Sequence, residues 1–386
     1  MDFEFTEEQK MVKDTARKIM EKEIIPVAHE YDRTKALSNR TILKGLLDKL
    51  IPLGYLGHVI PEEAGGSGMD FITYGIVMEE LFGAYGSLGM LVGLHISNYG
   101  IYQNGTPQQK EKFLRPLMTG EKILCTCITE PNVGSNPAAI ETTAVLDGDD
   151  YVINGTKVWI TNGSISDIAL VVAQTKPGAG KEGLCHILVD REVSPYGARE
   201  LPKLGMRSCP TSEVVFEDCR VPKENLLVAP GQGLRDILRI FAMPRAQLGI
   251  GAAGIAQAAL DASIRYAKER YQFGKPIGSF QLIQQMIADM YVETEAARHL
   301  AYKSFFLLDK GIRCEKESSA AKLYGTEMAV RVTSAAIQIH GAYGLSEEYP
   351  VERYFRDARS LTIPDGTTQI QKMIVARSLL GIRAFD

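Results

Sequence analysis

Cys127-Ile128-Thr129-Glu130-Pro131-Asn132-Val133-Gly134-Ser135-Asn136 is where this 386-residue chain changes character. Before it the pattern is helical. Thr6 followed by Gln9 makes a capping box, and Met11, Val12, Ala16, Ile19, Met20 and Ile24 recur at helical spacing until Pro26. The spacing predicts further helices over about 40–52, 70–84 and 108–119, the last after the cap Thr106, with a glycine-rich loop at Pro61-Glu62-Glu63-Ala64-Gly65-Gly66-Ser67-Gly68. After the stretch come strands. Tyr151-Val152-Ile153, the pair Asn154-Gly155 and then Val158-Trp159-Ile160 predict a hairpin. Ile168 to Ala173, Cys185 to Val189 and Val214 to Phe216 predict further strands. Beyond Gly233 long helices return, over about 235–270, 278–310, 316–342 and 367–380. The expectation is an α+β chain in three parts: an N-terminal all-α domain over 1–123, a β-barrel-like middle domain over 124–230, and a C-terminal four-helix bundle over 231–386.

Composition narrows the function classes. Hydrophobic content of 45% and charged content of 23% are those of a globular protein with a sizeable core. A net charge of -4 makes no electrostatic case for nucleic acid or an anionic membrane. No apolar run approaches the ~18 residues of a membrane span. The acidic start, Met1-Asp2-Phe3-Glu4-Phe5-Thr6-Glu7-Glu8, is unlike a signal or transit peptide, so a cytoplasmic location is expected. The six cysteines have no partners at zinc-site spacing, and reduced, buried thiols without a metal are expected.

Four separated motifs carry chemistry. The opening stretch can cup a ring system between its glycine and hydroxyl side chains, or be a plain bulge and turn. Trp159-Ile160-Thr161-Asn162-Gly163 ends a strand in a polar turn, and holds the one tryptophan, either core or cofactor wall. Glu269-Arg270-Tyr271-Gln272-Phe273-Gly274-Lys275-Pro276-Ile277, leading to Phe280-Gln281, puts a guanidinium at a helix end, where it suits a pyrophosphate or a surface ion pair. Gln338-Ile339-His340-Gly341-Ala342-Tyr343-Gly344-Leu345 ends a helix in glycines that permit close backbone approach. Near the C-terminus a lone carboxylate, Asp365, stands between Pro364 and Gly366. It is either a base aimed at a ligand, with Gly366 letting backbone approach that ligand, or part of a helix-start turn capped by Asp365 or Thr367.

In this order and spacing, the motifs resemble the acyl-CoA dehydrogenase family over essentially the whole length. Residues 127–136 match one family signature apart from Val133 and Asn136, and residues 338–357 match the other with Ala342 in place of a Gly or Ser. The resemblance implies FAD as cofactor, an acyl-CoA substrate, an electron-transferring flavoprotein as partner, and a homotetramer built as a dimer of dimers. It implies that Ile128, Thr129, Gly134, Ser135, Trp159 and Thr161 surround the flavin, with Ser135 also meeting acyl-CoA. Arg270, Phe273, Gln281, Gln338, Gly341 and Ala342 match positions that hold the FAD of a neighbouring subunit, and Thr367 and Gln369 match further FAD contacts. Arg245 matches an arginine supporting the acyl-CoA pocket, and Gly366 is a further expected acyl-CoA contact.

The family usually carries Glu where Asp365 stands, one methylene longer. Some branched-chain members carry the base just before the arginine matched by Arg245, but that position is Pro244 here. Asp365 is therefore the expected base. The shorter acid points to a branched or alicyclic acyl group such as cyclohexanecarboxyl-CoA. The alternatives are a straight short- or medium-chain substrate, a flavin oxidase of the same fold resembling nitroalkane oxidases, and a catalytically silent scaffold.

Overall fold

In the computed structural model, which describes residues 4–94, 97–382 and 384, the capping box at Thr6 and Gln9 starts α1 (Glu7–Ile19). The helix does not stop at Pro26. A π turn over Met20–Ile24 leads straight into α2 (Ile25–Thr34), where Pro26 falls in the first turn and its missing N–H breaks no bond. Helices α3 (Arg40–Leu50), α4 (Phe71–Ala84), α5 (Gly86–Gly93) and α6 (Ser97–Asn104) follow. Thr106 caps α7 (Pro107–Gln109), which continues through a π turn into α8 (Arg115–Met118).

The middle segment is one eight-stranded sheet. Its strands are β1 (Leu124–Cys127), β2 (Thr143–Asp147), β3 (Asp150–Thr161), β4 (Ile168–Gln174), β5 (Leu184–Asp190), β6 (Gly197–Glu200), β7 (Thr211–Pro222) and β8 (Leu226–Val228). The hydrogen-bonded path runs β6-β7-β3-β2-β4-β5-β8, with β1 parallel along β4. The hairpin expected at Asn154-Gly155 is not there. Residues 150–161 form a single strand, bulged against β7 between Ile153 and Gly155. Asn154 is anchored across the sheet instead, its side chain exchanging bonds with Asp218 at 2.8 and 3.1 Å. The actual turn is two residues long, between the paired Asp147 and Asp150.

From Gly233 the chain is helical: α9 (Gly233–Ile240), α10 (Ala242–Glu269), α11 (Gln281–Asp309), α12 (Glu315–His340), α13 (Val351–Leu361) and α14 (Thr368–Leu380). A small ribbon, β9 (Tyr271–Gln272) with β10 (Lys275–Pro276), links α10 to α11. The first and last segments share one core. Leu81, Phe82 and Tyr85 pack in the same buried cluster as Ile250, Ala253 and Ala329, while the sheet has a core of its own around Ile153, Val171 and Phe216. Helices α4 and α10 meet at Gly83 and Gly254. A Cβ on Gly254 would lie 2.2 Å from the Glu79 carbonyl, so only glycine permits this contact. Among the described residues no helix is long and apolar enough to cross a membrane.

Candidate functional site

The turn between α13 and α14 carries Asp365. Thr367, not Asp365, is the cap of α14, its hydroxyl accepting from the Ile370 N–H at 3.4 Å. Asp365 lies in the left-handed region at φ 54 and Gly366 follows at φ 94. Aspartate is one of the few side chains that tolerates that conformation. Three side chains hold the turn. The Asp365 carbonyl accepts from Gln371 Nε2 at 2.9 Å and from Arg245 Nε at 3.4 Å. The Gly366 carbonyl accepts from Gln371 Nε2 at 2.8 Å and from Lys322 Nζ at 2.9 Å. Lys322 Nζ also donates to the Thr362 carbonyl at 2.7 Å. A backbone this far from its relaxed conformation persists only where the surroundings over-determine it.

The carboxylate itself is left free. Among the described residues it makes no hydrogen bond or ion pair, and the Asp365 N–H has no acceptor. Burial pushes the Asp365 carboxyl above its ordinary range, against the positive charges of Lys322 and then Arg245. Burial likewise brings the Lys322 ammonium down to about 8, with Asp365 opposing, and lowers the Arg245 guanidinium. A carboxylate with raised proton affinity, no partner and a free N–H beside it has the attributes of a general base next to an oxyanion site.

The opening stretch is fastened to β3 by a buried ion pair. Lys157 Nζ, fully buried, donates to Glu130 Oε1 at 2.8 Å, the Val172 carbonyl at 2.7 Å and the Ile128 carbonyl at 3.1 Å. Glu130 in turn accepts from the Glu141 and Thr142 N–H groups at 2.7 and 2.8 Å. Burial works against the Glu130 charge, yet Lys157 holds that carboxyl below its usual range. The Val158 N–H donates to the Thr129 carbonyl at 2.9 Å, so Ile128 and Thr129 lie against the strand that carries Trp159 and Thr161. Trp159 sits on a second bulge of β3 at φ 60 and is 58% exposed. A bulky aromatic is uncommon in this left-handed conformation, and strain of this kind clusters at functional sites. Gly134 and Ser135 are exposed beyond it, and a Cβ on Gly134 would meet nothing within 4 Å.

Arg270, Phe273, Gln281, Gln338, Gly341 and Ala342 come together elsewhere, at the common end of α10 and α12. Tyr266 stacks on His340 with ring centroids 4.3 Å apart, and the Arg270 guanidinium lies 5.9 Å from the Tyr343 ring. All six are exposed, Phe273 by 92% at φ 50. Arg270 has no carboxylate partner among the described residues. No hydrogen bond or ring contact among those residues joins this patch to the Trp159 group. Thr367 and Gln369, at the start of α14, belong with Asp365. The exposed aromatic wall, the neighbouring hydroxyls and the unpaired guanidinium fit a flavin ring and a pyrophosphate. Lys322, Gln371 and Lys157 escaped the sequence reading, although a lysine between Ala321 and Leu323 in a helix, on a face with Ser318, Gly325 and Ala329, is a visible irregularity.

Three family descriptions match the chain: the acyl-CoA dehydrogenase N-terminal domain over residues 6–121, the middle domain over 125–219 and the C-terminal domain over 231–380. The chain is 42% identical to a probable acyl-CoA dehydrogenase, YngJ, of Bacillus subtilis, over 98% of this chain and 100% of that protein. It is 39% identical to the caffeyl-CoA reductase-Etf complex subunit CarC of Acetobacterium woodii, over 97% and 99%. The solved structure of butyryl-CoA dehydrogenase from Megasphaera elsdenii superposes with a TM-score of 0.94 at 35% identity, covering 98% of this chain and 100% of that one.

Proposed function

Because the chain belongs to the acyl-CoA dehydrogenase family, FAD-dependent oxidoreductases acting on acyl-CoA, we propose that Asp365 is the base that opens α,β-dehydrogenation of a thioester here. The observation carrying this reading is the unpartnered carboxylate on a turn held by Arg245, Lys322 and Gln371. The Asp365 carboxylate takes the α-proton. The free Asp365 N–H donates to the thioester carbonyl oxygen as negative charge gathers there. FAD, when bound, supplies the acceptor for the β-hydrogen, which leaves as hydride, and the product is the 2-enoyl-CoA.

Ile128, Thr129, Gly134, Ser135, Trp159, Thr161, Thr367 and Gln369 of one chain would hold the flavin side of the cofactor. Arg270, Phe273, Gln281, Gln338, Gly341 and Ala342 of a neighbouring copy would hold the rest, which requires at least a dimer and fits a dimer of dimers. Ser135, Arg245 and Gly366 would face acyl-CoA. The short reach of Asp365 favours a branched or alicyclic acyl group, of the cyclohexanecarboxyl-CoA kind, over a straight short chain. An electron-transferring flavoprotein would take the electrons, a role supported by the Etf-complex relative. That relative is named a reductase, which also favours a second reading: the same site run toward the saturated thioester.

The test is anaerobic titration of the purified protein with butyryl-, isobutyryl- and cyclohexanecarboxyl-CoA, following flavin bleaching in wild type and Asp365→Asn. Wild type should bleach. The variant should keep FAD and slow by ~10²–10⁴-fold, the usual worth of a positioned base. A variant that bleaches at the wild-type rate sinks the assignment, and an enoyl-CoA that reoxidises reduced protein faster than it is formed supports the reverse direction.

A further inference from the structure

We propose that Lys322 is the positioning residue of the base: reaching from α12, its ammonium clamps both shoulders of the Asp365 turn, the Thr362 and Gly366 carbonyls, and so sets where the carboxylate stands. This rests on Asp365 being the base. Lys322 lies about two turns into α12 and is fully buried, with no carboxylate within ion-pair distance among the described residues. Burying an unpaired ammonium costs several kcal/mol unless other bonds satisfy it. The bonds that satisfy it here are two carbonyls, and both belong to the segment that aims Asp365.

Gln371 holds the same turn from the other side, through the Asp365 and Gly366 carbonyls, but brings no charge. Lys322 brings both bonds and charge. The charged groups around Asp365 are Lys322 on α12 and Arg245 on α10, and both favour the carboxylate form. Around them stand Glu327, whose Oε1 accepts from Thr368 Oγ1 at 2.5 Å and which acts on Lys322, and Glu315 and Arg377, which act on Arg245. Removing the Lys322 charge therefore leaves Asp365 easier to protonate, and the base would be lost at a higher pH than in wild type. A purely structural lysine would lower thermal stability without moving the pH at which activity fails.

The experiment compares Lys322→Gln, which can still donate but has no charge, with Lys322→Arg, which keeps the charge, and Gln371→Met, which removes two neutral bonds. FAD content is measured first, then flavin reduction and the pH profile of kcat/KM, with whichever of butyryl- or cyclohexanecarboxyl-CoA wild type reduces faster. Lys322→Gln should slow reduction roughly 10- to 100-fold, the cost of an ångström of misplacement, with KM little changed and the acid limb moved to higher pH. Gln371→Met should slow reduction with the limb in place, and Lys322→Arg should also keep the limb in place. An unmoved limb in Lys322→Gln, or a moved one in Lys322→Arg, overturns the inference. If Lys322→Gln fails to fold, a moved limb in Lys322→Arg still overturns the inference. A fully active Asp365→Asn would instead overturn the assignment of the base, whatever Lys322 does.

Discussion

Lengthening the base, Asp365→Glu, asks why the acid is short. The substitution advances the carboxylate by one carbon, about 1.5 Å along the side chain. The turn cannot retreat to absorb it, because the Asp365 and Gly366 carbonyls are tied to Arg245, Gln371 and Lys322. If the pocket is shaped for a ring at the α-carbon, the extra length overpacks it, at ~1–3 kcal/mol. At 1.36 kcal/mol per tenfold, that is roughly a 5- to 150-fold loss in kcat/KM with cyclohexanecarboxyl-CoA. A second cost is independent of substrate. Residue 365 sits at φ 54, which aspartate accepts more readily than glutamate, so the variant should also melt at a slightly lower temperature. The assay is kcat/KM for butyryl-, isobutyryl- and cyclohexanecarboxyl-CoA with both proteins, using an artificial electron acceptor. The ring substrate should lose most, and butyryl-CoA least. An equal change across all three refutes the link between residue 365 and acyl shape, and the alicyclic reading falls with it.

Two further outcomes follow from other parts of the molecule. Arg270→Ala removes an exposed guanidinium with no protein carboxylate to lose, so the fold should survive while FAD binds about 10- to 150-fold more weakly, the worth of one charge-assisted bond; unchanged FAD content after dilution and gel filtration, or a monomer that keeps FAD, would contradict the shared site. Asp357 is buried, accepts from the Met206 N–H at 2.5 Å, and is pushed up to about 7 by burial and by Asp32, against that bond and against Arg353 and Arg356. Its folded value lies above the unfolded one near 4, so the stability it lends is complete below about pH 4 and is lost as pH rises through 7. Asp357→Asn keeps an acceptor for Met206, and its melting temperature should fall less than wild type's between pH 5 and 8. Parallel curves would show that Asp357 does not titrate in that window.

Much of the fold was legible because its signals are local. Thr6 with Gln9 and Thr106 with Gln109 are capping boxes complete within four residues, and both start helices where expected. Pro26 and Asn154-Gly155 misled for the complementary reason. Each is a local breaker whose effect depends on its partners: a π turn upstream of Pro26, and an Asp218 across the sheet that turns Asn154-Gly155 into a bulge.

The sequence by itself determined the order of a helical, a strand-rich and a second helical segment, the family motifs and the presence of a lone acid at 365, since periodicity, caps and short motifs are written in neighbouring residues. The tertiary structure alone decided that α4 and α10 share a core, that Lys157 locks the Glu130 loop to β3, and that Lys322, Arg245 and Gln371 converge on the Asp365 turn. Such contacts join residues far apart in the chain, and whether a buried charge finds its partners depends on where whole helices pack rather than on the residues beside it.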